Sequence, residues 1–361
     1  MKSVWINALF ILTVTLLFTI TGCKKADDTC SNGLQDTNET GIDCGGACHS
    51  CLDTLHIYVA GYLRKNTDKI ATYWKDGIAV SLTNGTYASA NDIFVLGKDV
   101  YVAGIDYGNS GYAIAKYWKN GTAVTLGNIG SESFANSVVV VGSDVYVAGY
   151  ENNLACYWKN GIKVSLAQGV QSSQASTIVV SGIDIYVAGF ESTGTKGIAK
   201  YWKNGVAVNL TDGTYDAQAD DIFISGNDIY LAGYEINAQG FSVAKYWKNG
   251  TAVSLTDGTP GNSMAAAITT DNGDIYVAGF KNISGAMRAI YWKNETVVPL
   301  PQATTPGYAS EIIVAEGDVY VAGCEPQGSV MAVKYWKNGV PVTVSDSAQD
   351  AYSSGLFIIR Q

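Results

Sequence analysis

From residue 53 onward the chain is written in short apolar bursts separated by glycine, asparagine and aspartate, and the bursts recur in a fixed order. The copy beginning at residue 220 shows the unit. Its apolar runs fill Asp221 to Ser225, Asp228 to Gly233, Ser242 to Lys248 and Thr251 to Leu255. Each is short and rich in β-branched and aromatic residues, which predicts four strands, here called a, b, c and d. Gly226-Asn227 makes a tight a-to-b turn. The c-to-d link is Asn-Gly in five copies and Asp76-Gly77 in a sixth, the two-residue hairpin signal in which both positions take φ > 0. Asn294-Glu295 departs from the rule and predicts local strain or a shifted turn.

The string Tyr-Trp-Lys starts at 73, 117, 157, 201, 246, 291 and 335, at intervals of 44, 40, 44, 45, 45 and 44 residues. A period in the forties with four strands per unit signals propeller blades. Strand b is apolar on both faces, as in Val145-Tyr146-Val147-Ala148, so both faces of each sheet must be covered, as they are when twisted blades stack around an axis. Seven of the eight tryptophans fall in strand c, which puts them between blades. The first recognisable element is a b strand, His56 to Gly61, and the last is an a strand, Gly355 to Ile359. That offset predicts a seven-bladed propeller over 53–361 in which the last strand completes the first blade. An all-β, monomeric ring is the expected fold.

The first 52 residues read differently. Lys2 and an apolar run from Ala8 to Ile20 end at Ile20-Thr21-Gly22-Cys23, too short for a membrane span and suited to a secretory signal over 1–22. These last four residues resemble a bacterial lipobox, which implies acylation of Cys23 and a membrane-anchored mature chain with a tether over 23–29. Lys24-Lys25-Ala26-Asp27-Asp28 resembles the signal that exports lipoproteins of the Bacteroidota to the outer face of the outer membrane. Cys30, Cys44, Cys48 and Cys51 lie in a Gly-rich segment, 30–52, too small for a core of its own. In an exported chain they are expected to form two disulfides, with zinc binding as the rival reading. Asp36, Asn38, Glu39 and Asp43 supply closely spaced oxygens of the kind calcium takes, although the terminal bidentate Glu of the standard loop is missing. The whole string resembles a CxNGxxDxxExGxDCGGxC module near the N-terminus of Bacteroidota surface proteins, where it implies a spacer or stalk.

Over 53–361 the units resemble the HAF-type extracellular repeat of bacteria, on Trp247, Gly250, Leu255, Ser263, Ala265, Ile268, Asp274, Ile275 and Gly279. That resemblance implies architecture and brings no catalytic residue. Asp53-Thr54-Leu55 and Asp346-Ser347-Ala348 resemble the short O-glycosylation sequon of Bacteroidota.

Composition narrows the functions. With 23 Lys and Arg against 32 Asp and Glu, the net charge of -9 and the lack of a basic tract disfavour nucleic acid. The two histidines, His49 and His56, and three arginines after residue 52, Arg64, Arg288 and Arg360, leave little for hydrolase, metal or arginine-clamp chemistry, and no cofactor is expected beyond the calcium option.

In a propeller the b-to-c and d-to-a loops share one face, and on this chain they vary most. Candidate ligand residues there are the acids after strand b, Asp106, Glu151, Glu191, Glu235 and Glu325, and the aromatics Tyr87, Tyr107, Tyr112, Phe134, Tyr215, Tyr308 and Tyr352, read as loop residues. The opposite face receives a lysine from every c strand, at 75, 119, 159, 203, 248, 293 and 337, which predicts a polarised disc. Cys156 and Cys324 are expected to be separate buried thiols. The favoured reading is a lipid-anchored envelope protein that binds protein or glycan on its variable face. A structural lipoprotein docked on an outer-membrane complex is the alternative, and a glycan-cleaving enzyme using paired carboxylates is third.

Overall fold

In a computed structural model, the described residues are 54–361 without 86, 109–110, 168, 193, 260, 302–305 and 347. The signal segment, Cys23, the four cysteines of the small module and its calcium candidates therefore lie outside the described residues. Residues Leu55–Gln361 form one compact unit.

Seven four-stranded antiparallel sheets follow one another, and six of them take their strands in chain order. The exception is the first, where the C-terminal strand Ala351–Arg360 pairs with Leu55–Lys65, followed outward by Asp68–Lys75 and Ile78–Ser81. The a strands, Ala88–Leu96, Ser133–Val141, Ser172–Ser181, Ala217–Ser225, Ser263–Asp271, Tyr308–Ala315 and Ala351–Arg360, neighbour one another in an unbroken ring about the axis. The molecule is a closed seven-bladed propeller, as the offset of the repeats requires.

Hydrophobic burial is organised by seam. Seven apolar clusters each join one blade to the next, and the cluster between blades 7 and 1, with Val59, Trp74, Tyr320, Ala322, Leu356 and their neighbours, is built like the others. The seven c-strand tryptophans are at most 2% exposed. Each removes about 150–250 Å² from water, worth roughly 4–6 kcal/mol before ordering costs. Small alanines across the seam, such as Ala60 and Ala71 of blade 1 in the cluster that holds Trp118 of blade 2, let the sheets approach.

The a strands begin about four residues before the apolar run that announces them, and every one carries a bulge. Register slips between Ala90 and Asp92, and at the equivalent places in the other six blades, leaving Asn91, Asn136, Ser176, Asp220, Ala266, Ser310 and Ser354 unpaired. The bulge explains the glycine repeated in every b strand. A Cβ on Gly149 would sit 1.8 Å from the Phe134 carbonyl oxygen, and on Gly104 or Gly233 2.0 Å from Ser89 or Gln218. Only a missing side chain lets the bulged strand lie this close.

At the c-to-d hairpins the asparagine adopts positive φ and its side chain locks the turn to strand b. Asn120 has φ 50°, accepts from Val100 N at 2.9 Å and donates to Asp99 at 2.8 Å. Blade 1 exchanges the partners: Asp76 stands in the turn and meets His56 Nδ1 at 2.6 Å. At the exceptional hairpin the register is unchanged, so Glu295 is forced to φ 67°, which is strain and not a shifted turn.

Candidate functional site

Charge is paired on both faces, and the polarised disc does not survive. Lys119, Lys159, Lys203, Lys248, Lys293 and Lys337 each meet the aspartate that opens strand b, at 2.7–3.1 Å. The same ammonium groups lie 5.0–5.4 Å from the centre of a strand-b tyrosine ring, as Lys119 does over Tyr101. Hydrogen bonds from these lysines and from the turn asparagines hold Asp99, Asp144, Asp184, Asp228, Asp274 and Asp318 below the usual carboxylate range. A ring of ion pairs, repeated almost identically, replaces a lysine surface.

On the variable face the five acids are likewise paired. Asp106 meets Lys116 at 2.7 Å and Glu151 meets Lys163 at 2.5 Å, while Glu191, Glu235 and Glu325 meet Lys200, Lys245 and Lys334. Burial acts to raise the Glu151 carboxyl, but Lys163 and Asn128 outweigh it and the net shift is downward. Sequence could not show these pairings, because the lysines come from neighbouring strands.

Phe134, Tyr308 and Tyr352 are strand residues, correcting their reading as loop aromatics. Phe134 stacks on Tyr150 at 4.6 Å, and Tyr352 on Tyr62 at 4.9 Å. Burial beside Cys324 raises the Tyr308 hydroxyl strongly. Tyr87 and Tyr107 meet edge to face at 5.2 Å, and Lys69 lies 4.5 Å from the Tyr62 ring centre and 4.6 Å from that of Tyr87. Tyr112 is exposed.

Tyr215 and Glu235 come together. They line an open cavity of about 360 Å³ in blade 5 with Asp212, Thr214, Asn237 and Lys245. The long b-to-c loop builds one wall: Asn237 Oδ1 accepts from Gln239 N and Phe241 N, both at 3.0 Å. The d-to-a loop builds the other, where Asp212 Oδ1 accepts from Thr214 N at 2.8 Å.

A second polar cavity, of about 150 Å³, lies on the axis between the a-strand bulges. Four carboxyl groups line it, Asp92, Asp220, Asp221 and Glu311, and none was singled out from the sequence. The signal was an acid inside an apolar strand, immediately before Ile93, Ile222 and Ile312 or one residue earlier. Asp92 accepts from Ile93 N at 2.7 Å and from Val138 N of the next blade at 2.8 Å. Asp221 repeats this with Ile222 N and Ile268 N, both at 2.8 Å. Burial raises Asp92 to about 6 and both Asp220 and Asp221 to about 7, against the lowering effect of these bonds. Glu311 is raised well above its ordinary value by burial, then by the charges of Asp221 and Asp92. Among the described residues no three His, Cys, Asp or Glu side chains converge tightly enough to chelate a metal directly. Cys156 and Cys324 are buried free thiols in different blades.

No family model and no curated protein matches the sequence. Solved structures do match in fold. A puromycin-hydrolyzing peptidase from Mycobacterium tuberculosis is 11% identical with a TM-score of 0.53, over 80% of this chain and 53% of that one. The chain thus spans about half the length of that peptidase. The β-propeller domain of the Trilobed protease from Pyrococcus furiosus, described as having an open velcro topology, is 11% identical with a TM-score of 0.50, over 81% of this chain and 95% of that domain. These likenesses identify the chain as a β-propeller protein, here with its ends clasped in one sheet.

Proposed function

We propose that the propeller is a binding module that takes a hydroxyl-rich glycan or a protein segment on its variable face, displayed from the cell envelope by a lipid on Cys23. The observation that carries the reading is the contrast between the faces. One face repeats the same Asp-Lys-Asn contacts blade after blade. The other gathers an aromatic ring, two acids, an amide and an ammonium around a single open cavity in blade 5. An aromatic wall beside fixed hydrogen-bonding groups is the chemistry that holds a sugar ring or a polar side chain. The Glu235–Lys245 pair supplies an acceptor and a donor side by side.

The alternative of docking through a basic face is weakened, since six of the seven lysines are matched by aspartates. The test is a glycan and cell-surface protein array probed with the purified propeller. Tyr215→Ala and Glu235→Gln should each weaken a captured ligand at least about tenfold, the loss expected when a central anchor is removed. Capture that both variants leave intact would exclude this cavity. Protection of the chain from added protease in intact cells would place it on the periplasmic side and overturn the display.

A further inference from the structure

The axial cavity gathers four carboxyl groups that burial biases toward the protonated form. Its lining contains Asp92, Asp220, Asp221 and Glu311 and no lysine, arginine or histidine. Buried carboxylates are tolerated when they are neutralised or paired. Two of the four have structural employment: Asp92 and Asp221 each clamp main-chain N–H groups of their own and the following blade. Glu311 holds only the Ile312 N–H of its own strand, at 3.0 Å, and the side-chain partner of Asp220 is the Gln218 amide.

Asp220 occupies the bulge position, where three of its six sisters donate to the next blade. Asn91 Nδ2 donates to the Ala135 carbonyl at 2.9 Å, Asn136 Nδ2 to Ala175 at 2.8 Å and Ser354 Oγ to Ala90 at 2.6 Å, each in the next blade. An ionised carboxylate cannot donate. Gln218 Nε2 satisfies Asp220 Oδ1 at 2.7 Å, while Oδ2 is wholly buried and meets no hydrogen-bond partner among the described residues. Ser176 Oγ, at the preceding bulge and also lining the cavity, is buried and unpartnered as well. Two orphaned polar atoms on one wall of an acid-lined cavity mark a place built for a missing partner.

We propose that the axial cavity binds one calcium ion, neutralising Asp220 and Glu311 and held partly through water. The volume suits this: about 150 Å³ holds roughly five waters at about 30 Å³ each. The lining carboxylates stand around the cavity without converging, so the ion keeps part of its hydration shell. All available ligands are oxygen, from carboxylates, hydroxyls and amides, and the irregular ring favours calcium's variable coordination over the strict octahedron of magnesium. Affinity should be that of extracellular calcium modules, about 0.1–1 mM. The site is separate from the acids at 36–43 of the small module.

The test uses the full chain, stripped with chelator and melted near neutral pH. About 10 mM calcium should raise the Tm by about 3–6 °C over matched potassium chloride, with magnesium giving less. Asp220→Asn restores the donor used in blades 2 and 3, so it should raise the calcium-free Tm and remove at least half of the calcium increment. Glu311→Gln, a second route should the first variant fold poorly, should also cut the increment. Calorimetric titration should find an axial calcium that Asp220→Asn abolishes, while Asp36→Asn with Asp43→Asn leaves it. The proposal is overturned if calcium shifts nothing beyond matched salt, if both axial variants keep the full increment, or if the increment vanishes with the module variant. A wild-type Tm indifferent to calcium but rising as pH falls toward about 5 would assign the place to a proton and equally overturn it.

Discussion

Adding one methyl group to a b strand measures how tightly the bulged inner strand is seated. In Gly149→Ala the new Cβ would lie 1.8 Å from the Phe134 carbonyl oxygen and 3.1 Å from the Trp158 ring. A carbon and a carbonyl oxygen tolerate about 3.3 Å, so the strands must part by roughly 1.5 Å. The tryptophan blocks escape to one side, because Trp158 is 1% exposed and packed against blade 2. Overpacking costs about 1–3 kcal/mol, and breaking the two main-chain bonds beside the bulge adds about 1 kcal/mol each, for a total of about 3–5 kcal/mol. Gly161→Ala is the control. There φ is 81° and a Cβ meets nothing within 4 Å, so the cost is the left-handed strain of about 1–2 kcal/mol. Circular dichroism melts should therefore show Gly149→Ala lowered by about 6–10 °C and Gly161→Ala by about half as much or less. Equal melting of Gly149→Ala and wild type, or a larger loss for Gly161→Ala, would refute the account of why strand b carries glycine.

The turn-face aspartates should make stability fall in strong acid, while the raised axial carboxyls act in the opposite direction. The aspartates of the turn face have folded pKa values below their unfolded ones, so the stability they contribute is present above about pH 4 and is lost as pH falls through the lower folded values. Melts between about pH 2 and 5 check this, and Asn120→Ala, which removes one of the bonds holding Asp99 low, should shift the acid limb to higher pH. Burial raises the Cys156 thiol to about 12 and raises Cys324 too. Both thiols should resist alkylation in the folded propeller and react once it is denatured, as mass spectrometry can count; rapid labelling of native protein would contradict the seam packing.

The ring itself could be read from the chain because its determinants are local and repeated. The Tyr-Trp-Lys period, the Asn-Gly hairpins and the displaced last strand each report a strand or a turn by residue type alone. The axial acids escaped because the bulges interrupt alternation just where the a strands enter the ring. Residues such as Asn91 and Asp92 look like the polar end of a loop until the pairing is known. The same applies to Phe134 and Tyr352, whose cross-strand stacking partners lie 16 residues away and on the far end of the chain. Charge misled for a related reason: Glu235 and Lys245 sit on separate strands, and only the hairpin register brings them together.

Closure of the ring by the last strand is the claim on which the seams, the axis and the variable face all rest. The strand pairs with Leu55–Lys65 along nearly its full length, buries Leu356 and Ala351 in the seam between blades 7 and 1, and ends with Arg360 bonded to Glu316. Removing residues 355–361 would leave that seam open to water and Leu55–Lys65 in blade 1 with an unpaired edge. Amide hydrogen exchange of the truncated chain should show loss of protection in blade 1 and blade 7 together, with a Tm far below that of the intact protein. Protection and melting unchanged from the intact protein would mean that the ring does not depend on this clasp.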